Sequence, residues 1–252
     1  MIPKRIVSLV PSLTEALFTF GVGEKVVGRT RYCLLPPRQV GKIPKVGGTK
    51  KVSVARVLDL QPDFVVAVKE ENSQKNIEEL KEAGVAVFVG APEGVEGAIG
   101  LLKELAGRVG APHAEVVLGP IERVYGRLRS EAGSRKESRR VFVPIWREPY
   151  MSVGRDTYVH DVLETCGGAN VFGRSWRYPP VTLQEIEAAK PEVVLLPDEP
   201  YPFSAEDLAE FYELNIPAAR QDRIHLVDGK LLSWYGPRMA SSLAQLSALL
   251  GR

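Results

Sequence analysis

Two stretches of this chain, Val52–Val68 (VSVARVLDLQPDFVVAV) and Val181–Pro197 (VTLQEIEAAKPEVVLLP), follow one template. Each runs from a valine through a serine or threonine suited to capping a helix, along a short amphipathic helix, to a proline, an acidic residue and an apolar strand. Without gaps, Ser53 matches Thr182, Pro62 matches Pro191 and Asp63 matches Glu192. The repetition predicts two equivalent halves built from helix–strand units. One such unit can occur in any α/β protein, so two unrelated units are the alternative to a true repeat.

The rest of the chain continues the alternation. Strands are expected at Arg5–Val10, Val26–Arg29, Phe64–Val68, Val85–Val89, Val141–Pro144, Val193–Leu196 and Ile224–Val227, each rich in β-branched residues. Between them, helices are expected at Ser53–Leu60, Asn76–Ala83, Val95–Arg108, Thr157–Cys166, Thr182–Ala189, Ser204–Tyr212 and Pro237–Leu250. Ser12 with Glu15 reads as a capping box for the first helix, which runs to Phe20. Such alternation argues for mainly parallel sheets covered on both faces. Between the halves, Val116, Val117, Ile121, Val124 and Leu128 recur at helical spacing behind Pro112. The expected organisation is an N-terminal α/β lobe over 1–111, a long bridging helix over 112–134 and a C-terminal α/β lobe over 135–252.

Composition narrows the partners. Lysine and arginine number 33 against 31 acidic residues, for a net charge of +2, so nothing marks a nucleic-acid footprint. The one basic run, Arg135, Lys136, Arg139 and Arg140, reads as a solvated linker face. Cys33 and Cys166 form no CxxC pair and read as buried small hydrophobes. No apolar run is long enough to span a membrane. The opening MIPKRIVSLVPS breaks at Pro11 before a secretory core could form, so the chain as written reads as cytoplasmic, with a periplasmic or cell-envelope location as the alternative if it is a trimmed form of a longer one.

Signatures of catalysis are absent: there is no GxSxG, HExxH, Walker loop or strand-flanked GxGxxG. His113, His160 and His225 are scattered and read as structural rather than as metal ligands. What remains is a collection of aromatic and basic residues in the loops after strands, where open α/β sheets bind ligands. It comprises Arg31, Tyr32, Lys69, Glu70, Asn72, Trp146, Arg147, Tyr150, Glu199, Tyr201, Trp234, Tyr235 and Arg238, and Trp176 also falls in an irregular segment. Any one of these could plug a loop against the core. Together they suggest a cleft for a ligand larger than an amino acid, with no catalytic and no metal-ligating residue.

Three segments carry a resemblance: RIVSLVPSLTEALFTFGVGEKVVGRT followed by YCLLPP at Tyr32–Pro37, KVGGTKKVSVARVLDLQPDFVVA, and YMSVGRDTYVHDVLETCGGANVF at Tyr150–Phe172. In this order they resemble the class III periplasmic binding proteins, or helical-backbone metal receptors, which include the cobalamin- and ferric siderophore-binding proteins of ABC importers. The resemblance implies two Rossmann-like lobes joined by one long helix. It also implies a bulky metal chelate, cobalamin or a ferric siderophore, held in the cleft between the lobes, with no intrinsic cofactor and no turnover. By the same token Tyr32 and Tyr178 fall where cobalamin binders place aromatic residues. Thr49 and Val68 stand where those proteins carry tryptophans, and Lys230 and Trp234 replace an acidic and a basic side chain, which argues against cobalamin itself.

Importer-coupled members present one carboxylate per lobe to a permease. Here the matching positions are Ala55 and Gln184, beside Arg56 and Glu185, so the expectation is a monomeric relative with an altered or absent permease contact. The set expected to line the ligand is Tyr32, Lys69, Trp146, Arg147, Tyr150, Tyr178, Tyr201, Trp234 and Arg238. Two alternatives stand beside it. One is a chelate-modifying enzyme using Glu70, Glu199 or Cys33, and the other is a protein-interaction module with a vestigial cleft.

Overall fold

The computed structural model describes residues 2–132 and 137–251. The chain divides into two compact units. One comprises Met1–Pro92, Glu96–Ile121 and Tyr235–Pro237, and the other Glu93–Val95, Glu122–Trp234 and Arg238–Arg252.

In the N-terminal unit, β1 (Ile6–Ser8), β2 (Val26–Arg29), β3 (Phe64–Val68) and β4 (Ala86–Gly90) form one parallel sheet in the order β2-β1-β3-β4. Helices α1 (Pro11–Thr19), α2 (Pro37–Val40), α3 (Val54–Asp59), α4 (Gln74–Glu82) and α5 (Val95–Val109) connect or follow these strands. Every residue of β3 is buried, as a central parallel strand requires. Val7, Leu9, Val57, Val65 and Leu80 form a core on this sheet.

The C-terminal unit repeats the design. Strands β5 (Arg139–Phe142), β7 (Gly168–Asn170), β9 (Val193–Pro197) and β10 (Ile224–Val227) make a parallel sheet in the order β10-β9-β5-β7. A small antiparallel pair, β6 (Tyr150–Met151) with β8 (Pro180–Val181), lies outside it. Helices α7 (Tyr158–Thr165), α8 (Leu183–Ala189), α9 (Ala205–Tyr212), α10 (Pro217–Arg220), α11 (Lys230–Ser233) and α12 (Met239–Leu250) complete the unit. Phe142, Ile186, Leu196, Phe211 and Ile216 form its core. The long helix α6 (Ala114–Ala132) is one continuous element whose residues are divided between the two units.

The internal repeat extends to hydrogen bonds that the sequence pattern does not reveal. Ser53 accepts from Arg56 N (3.4 Å) and Thr182 from Glu185 N (3.2 Å). Gln61 and Lys190, equivalent in the gapless match, both adopt φ = 46°. That left-handed turn frees the helix-end carbonyls, which Arg5 and Arg140 capture: Arg5 Nε donates to Leu60 O at 3.1 Å and Arg140 Nε to Lys190 O at 2.9 Å. Asp63 then accepts from the backbone N of Lys4 and Arg5, and Glu192 from the backbone N of Arg140. The acid after the proline is therefore a strand-entry staple in both lobes.

Three expectations need correction. Helix α1 starts one residue before the proposed capping box, with Pro11 at its first position and Val10 as a cap without a side-chain bond. The ring presets the helical φ and its missing N–H is one that no helix start can pair. Ser12 thus lies inside the first turn, and its buried hydroxyl has no hydrogen-bond partner. In α6, Val117, Ile121 and Leu128 are buried, but Val116 is 66% exposed, and Pro120 removes an internal backbone donor. Arg139 and Arg140 are not linker residues: they begin β5, and Arg139 Nε binds Leu250 O at 2.8 Å. Arg135 and Lys136 lie outside the described residues. No helix among the described residues is long and apolar enough to cross a membrane.

Candidate ligand-binding site

In the N-terminal lobe, the segment after β2 carries Tyr32, 52% exposed, with the Arg31 guanidinium 5.3 Å from its ring centroid. The segment is held from below by Arg29. Although buried, this guanidinium has only carbonyl partners: Val40 O at 2.8 Å, Cys33 O at 3.0 Å and Thr30 O at 3.2 Å. Lys69 is exposed in the turn after β3. Asn72 is not a surface residue. Its Oδ1 accepts from Val68 N, and its Nδ2 donates to Leu9 O and Thr49 O, tying three loops together. Val68 is fully buried and presents nothing to a ligand.

In the C-terminal lobe, aromatic rings run from solvent into the core. Trp146, 45% exposed, meets Tyr201 edge to face at 5.7 Å. Tyr201 contacts Phe203 at 4.7 Å, and Phe203 stacks on Tyr150 at 6.5 Å and 7°. Such pairs favour tilted or offset geometry and hold their rings rigidly. Phe203 was not anticipated, because β9 runs on through Pro197 and the intervening loop places it beside Tyr201.

Two of the residues expected to line the ligand also make structural bonds within the lobe. Tyr150 is only 8% exposed, and its hydroxyl donates to Glu210 Oε2 at 2.8 Å. Burial, reinforced by that carboxylate, pushes the phenol well above its ordinary value. Arg147 bridges Asp207 and Glu210 of α9, with Nη2 to Glu210 Oε2 at 2.9 Å. Its charge is satisfied inside the lobe, with a carboxylate that also caps α9 through Ser204. Together they fix the Trp146 loop to α9.

Beyond β9, Glu199 Oε1 accepts from Trp234 Nε1 at 2.6 Å and from Ser233 Oγ at 3.3 Å, with Lys230 Nζ 4.0 Å from Oε2. Burial raises the Glu199 carboxyl above its ordinary value, outweighing Lys230 and the indole, which lower it. Lys230 also pairs with Asp228 at 3.0 Å. Arg238 caps the start of α12 and is half-buried. Tyr178 is half-buried under the Arg177 guanidinium, 5.4 Å away. Tyr235 is buried, its hydroxyl 3.4 Å from Glu71.

The remaining reactive groups are accounted for by packing. Cys33 is fully buried, and burial pushes its thiol up. His160 Nδ1 lies 3.2 Å from Asn170 Nδ2, His113 packs against Gly21, and burial lowers the His225 imidazole. Among the described residues no group of three or more histidine, cysteine or acidic side chains is placed to hold a metal ion. An open hollow of about 540 Å³ in the N-terminal lobe, lined by Phe18, Gly21, Val26, Arg38, Lys42 and Ile43, contains none of the residues expected to bind ligand.

Residues 6–231 match the family model described as "Periplasmic binding protein". An uncharacterised ABC transporter substrate-binding lipoprotein, YvrC of Bacillus subtilis, is 27% identical, over 97% of this chain and 79% of its own length. The vitamin B12-binding protein of Yersinia pestis is 26% identical over 77% of this chain and 69% of its own. Among solved structures, a periplasmic heme-binding protein from Pseudomonas aeruginosa superposes with a TM-score of 0.83 at 26% identity, covering 99% of this chain and 93% of that one.

Proposed function

The chain belongs to the periplasmic binding protein family, and we propose that it reversibly binds a bulky metal chelate of the corrinoid, haem or ferric siderophore kind. Its relatives are binding proteins, and in this reading the chelate leaves chemically unchanged. The observation that carries the reading is the Trp146–Tyr201–Phe203 array, exposed at one end and anchored in the core at the other. Rigid rings offer broad apolar contact at little entropic cost, which suits a large flat macrocycle or a compact chelate. Trp234, held by Glu199, and Tyr178 add further surface in the same lobe. Arg147 and Tyr150 support the site from behind.

Delivery to an ABC permease is supported by the similarity to YvrC, an ABC transporter substrate-binding lipoprotein. Ala55 and Gln184 are both exposed near the starts of α3 and α8 and occupy matching positions in the repeat. Glu185 does not replace a docking carboxylate, since it closes the capping box with Thr182. A permease partner would therefore meet this protein without the paired carboxylates.

The test is a titration of intrinsic tryptophan fluorescence with cyanocobalamin, iron(III) protoporphyrin IX and a ferric hydroxamate siderophore. Saturable quenching by at least one is expected, with the ligand recovered intact by mass spectrometry. Trp146→Ala and Tyr201→Ala should each weaken it about tenfold, as loss of a central aromatic anchor does. No response to any of the three would sink the reading.

A further inference from the structure

We infer, resting on the function proposed above, that the bound chelate carries anionic oxygen groups on its rim and that Arg155, stacked on Trp176, receives one of them. The Arg155 Cζ lies 3.9 Å from the indole centroid of Trp176, which is nevertheless 62% exposed. Stacking occupies one face of the guanidinium and leaves its in-plane N–H edge for a carboxylate fork, so the pair is a preorganised anion receptor.

The pair is built rather than accidental. Arg155 N donates to Ser175 O at 2.9 Å, and Gly154 N to Arg177 O at 2.6 Å. A Cβ on Gly154 would sit 2.6 Å from Ser175 O, so only glycine lets these two segments close. One segment follows β5 and the other follows β7, which places both on the carboxyl-end side of a parallel sheet, where such folds bind ligands.

Charge accounting points the same way. Nearby carboxylates are bonded elsewhere: Asp156 to Arg177, Glu199 to Trp234 and Ser233, and Asp207 and Glu210 to Arg147. Among the described residues Arg155 has no ion-pair partner. A ligand with a neutral amide rim would leave Arg155 unsatisfied.

Two probes that share a metal and macrocycle but differ at the rim decide the point: dicyanocobyrinic acid, which bears carboxylates, and dicyanocobinamide, which bears amides. Binding to the full chain is read by tryptophan quenching, with iron(III) protoporphyrin IX as a second acid of different ring. The acids are expected to bind about tenfold or more tightly than the amide, a difference that narrows as salt is raised. Arg155→Gln should cost about tenfold on the acids and leave the amide unchanged, and Arg155→Lys should restore part of the loss. Equal affinity for acid and amide, or equal weakening of both by Arg155→Gln, would overturn the inference while leaving chelate binding intact. Binding of none of these probes would overturn the inference, and the proposed function would fall with it only if cyanocobalamin and the ferric hydroxamate siderophore also failed to bind.

Discussion

The indole Nε1 of Trp234 donates to Glu199 Oε1 across 2.6 Å, and the carboxylate it meets is one that burial makes reluctant to ionise. A carboxyl whose folded value is raised contributes most to stability below its unfolded value, and that contribution is lost as pH rises through the folded value. Glu199→Gln keeps the acceptor and removes the charge. It should therefore match or exceed wild type in thermal stability at pH 7 and fall behind toward pH 4. Glu199→Ala removes the acceptor and should cost about 1–2 kcal/mol together with a shift in tryptophan emission. A Gln variant clearly less stable than wild type at pH 7 would contradict this account.

Arg147 joins the Trp146 loop to α9 through Asp207 and Glu210. Removing it with Arg147→Met leaves two neighbouring carboxylates, one of them almost fully buried, without their cation. The expected loss is about 2–3 kcal/mol, below the figure for a fully buried pair because the guanidinium is partly solvated. Desolvation alone would raise Asp207, but the Ser204 amide, the Ser204 hydroxyl and Arg147 together hold it below its ordinary value. That contribution is present above the unfolded value and disappears as pH falls through the depressed one. Acid unfolding of Arg147→Met should therefore begin at a higher pH than in wild type, as circular dichroism would report.

The strand-entry staples should be unequal. Asp63 accepts from two backbone donors and Glu192 from one, so Asp63→Ala should lower the urea midpoint more than Glu192→Ala. The cost is about 1 kcal/mol per lost hydrogen bond, less whatever water restores. Identical midpoints for both variants and wild type would show that the staples are ornamental.

Cys33 and Cys166 are both buried and form no disulfide among the described residues, and burial raises the Cys33 thiol. Thiol reagents act on the thiolate, so neither cysteine should be labelled by a disulfide reagent in the native protein, and both should react in denaturant. Rapid native labelling of Cys33 would revive the chelate-modifying reading.

Much of the architecture was legible because it rests on local period. β2, β3 and β10 lie where runs of branched residues placed them, and most helices begin and end within two residues of their sequence signals. The elements that escaped are those held by distant partners: the two-residue pair β6–β8, the short β7 and the four-residue helices α2, α10 and α11. The proposed capping box at Ser12 failed for a local reason, since Pro11 claimed the first helical position.

From the chain alone came the repeat of helix, proline, acid and strand, because turn chemistry and hydrophobic period act within a few residues. The tertiary structure alone decided which polar and aromatic side chains remain available to a ligand. Arg147 and Arg155 look alike in sequence, yet one is consumed by carboxylates on a helix sixty positions away and the other lies on an exposed indole. Tyr150 and Trp146 share a loop, yet one is buried and the other open. Burial and ion pairing depend on partners brought together only when the lobe closes around its core, and no local pattern encodes them.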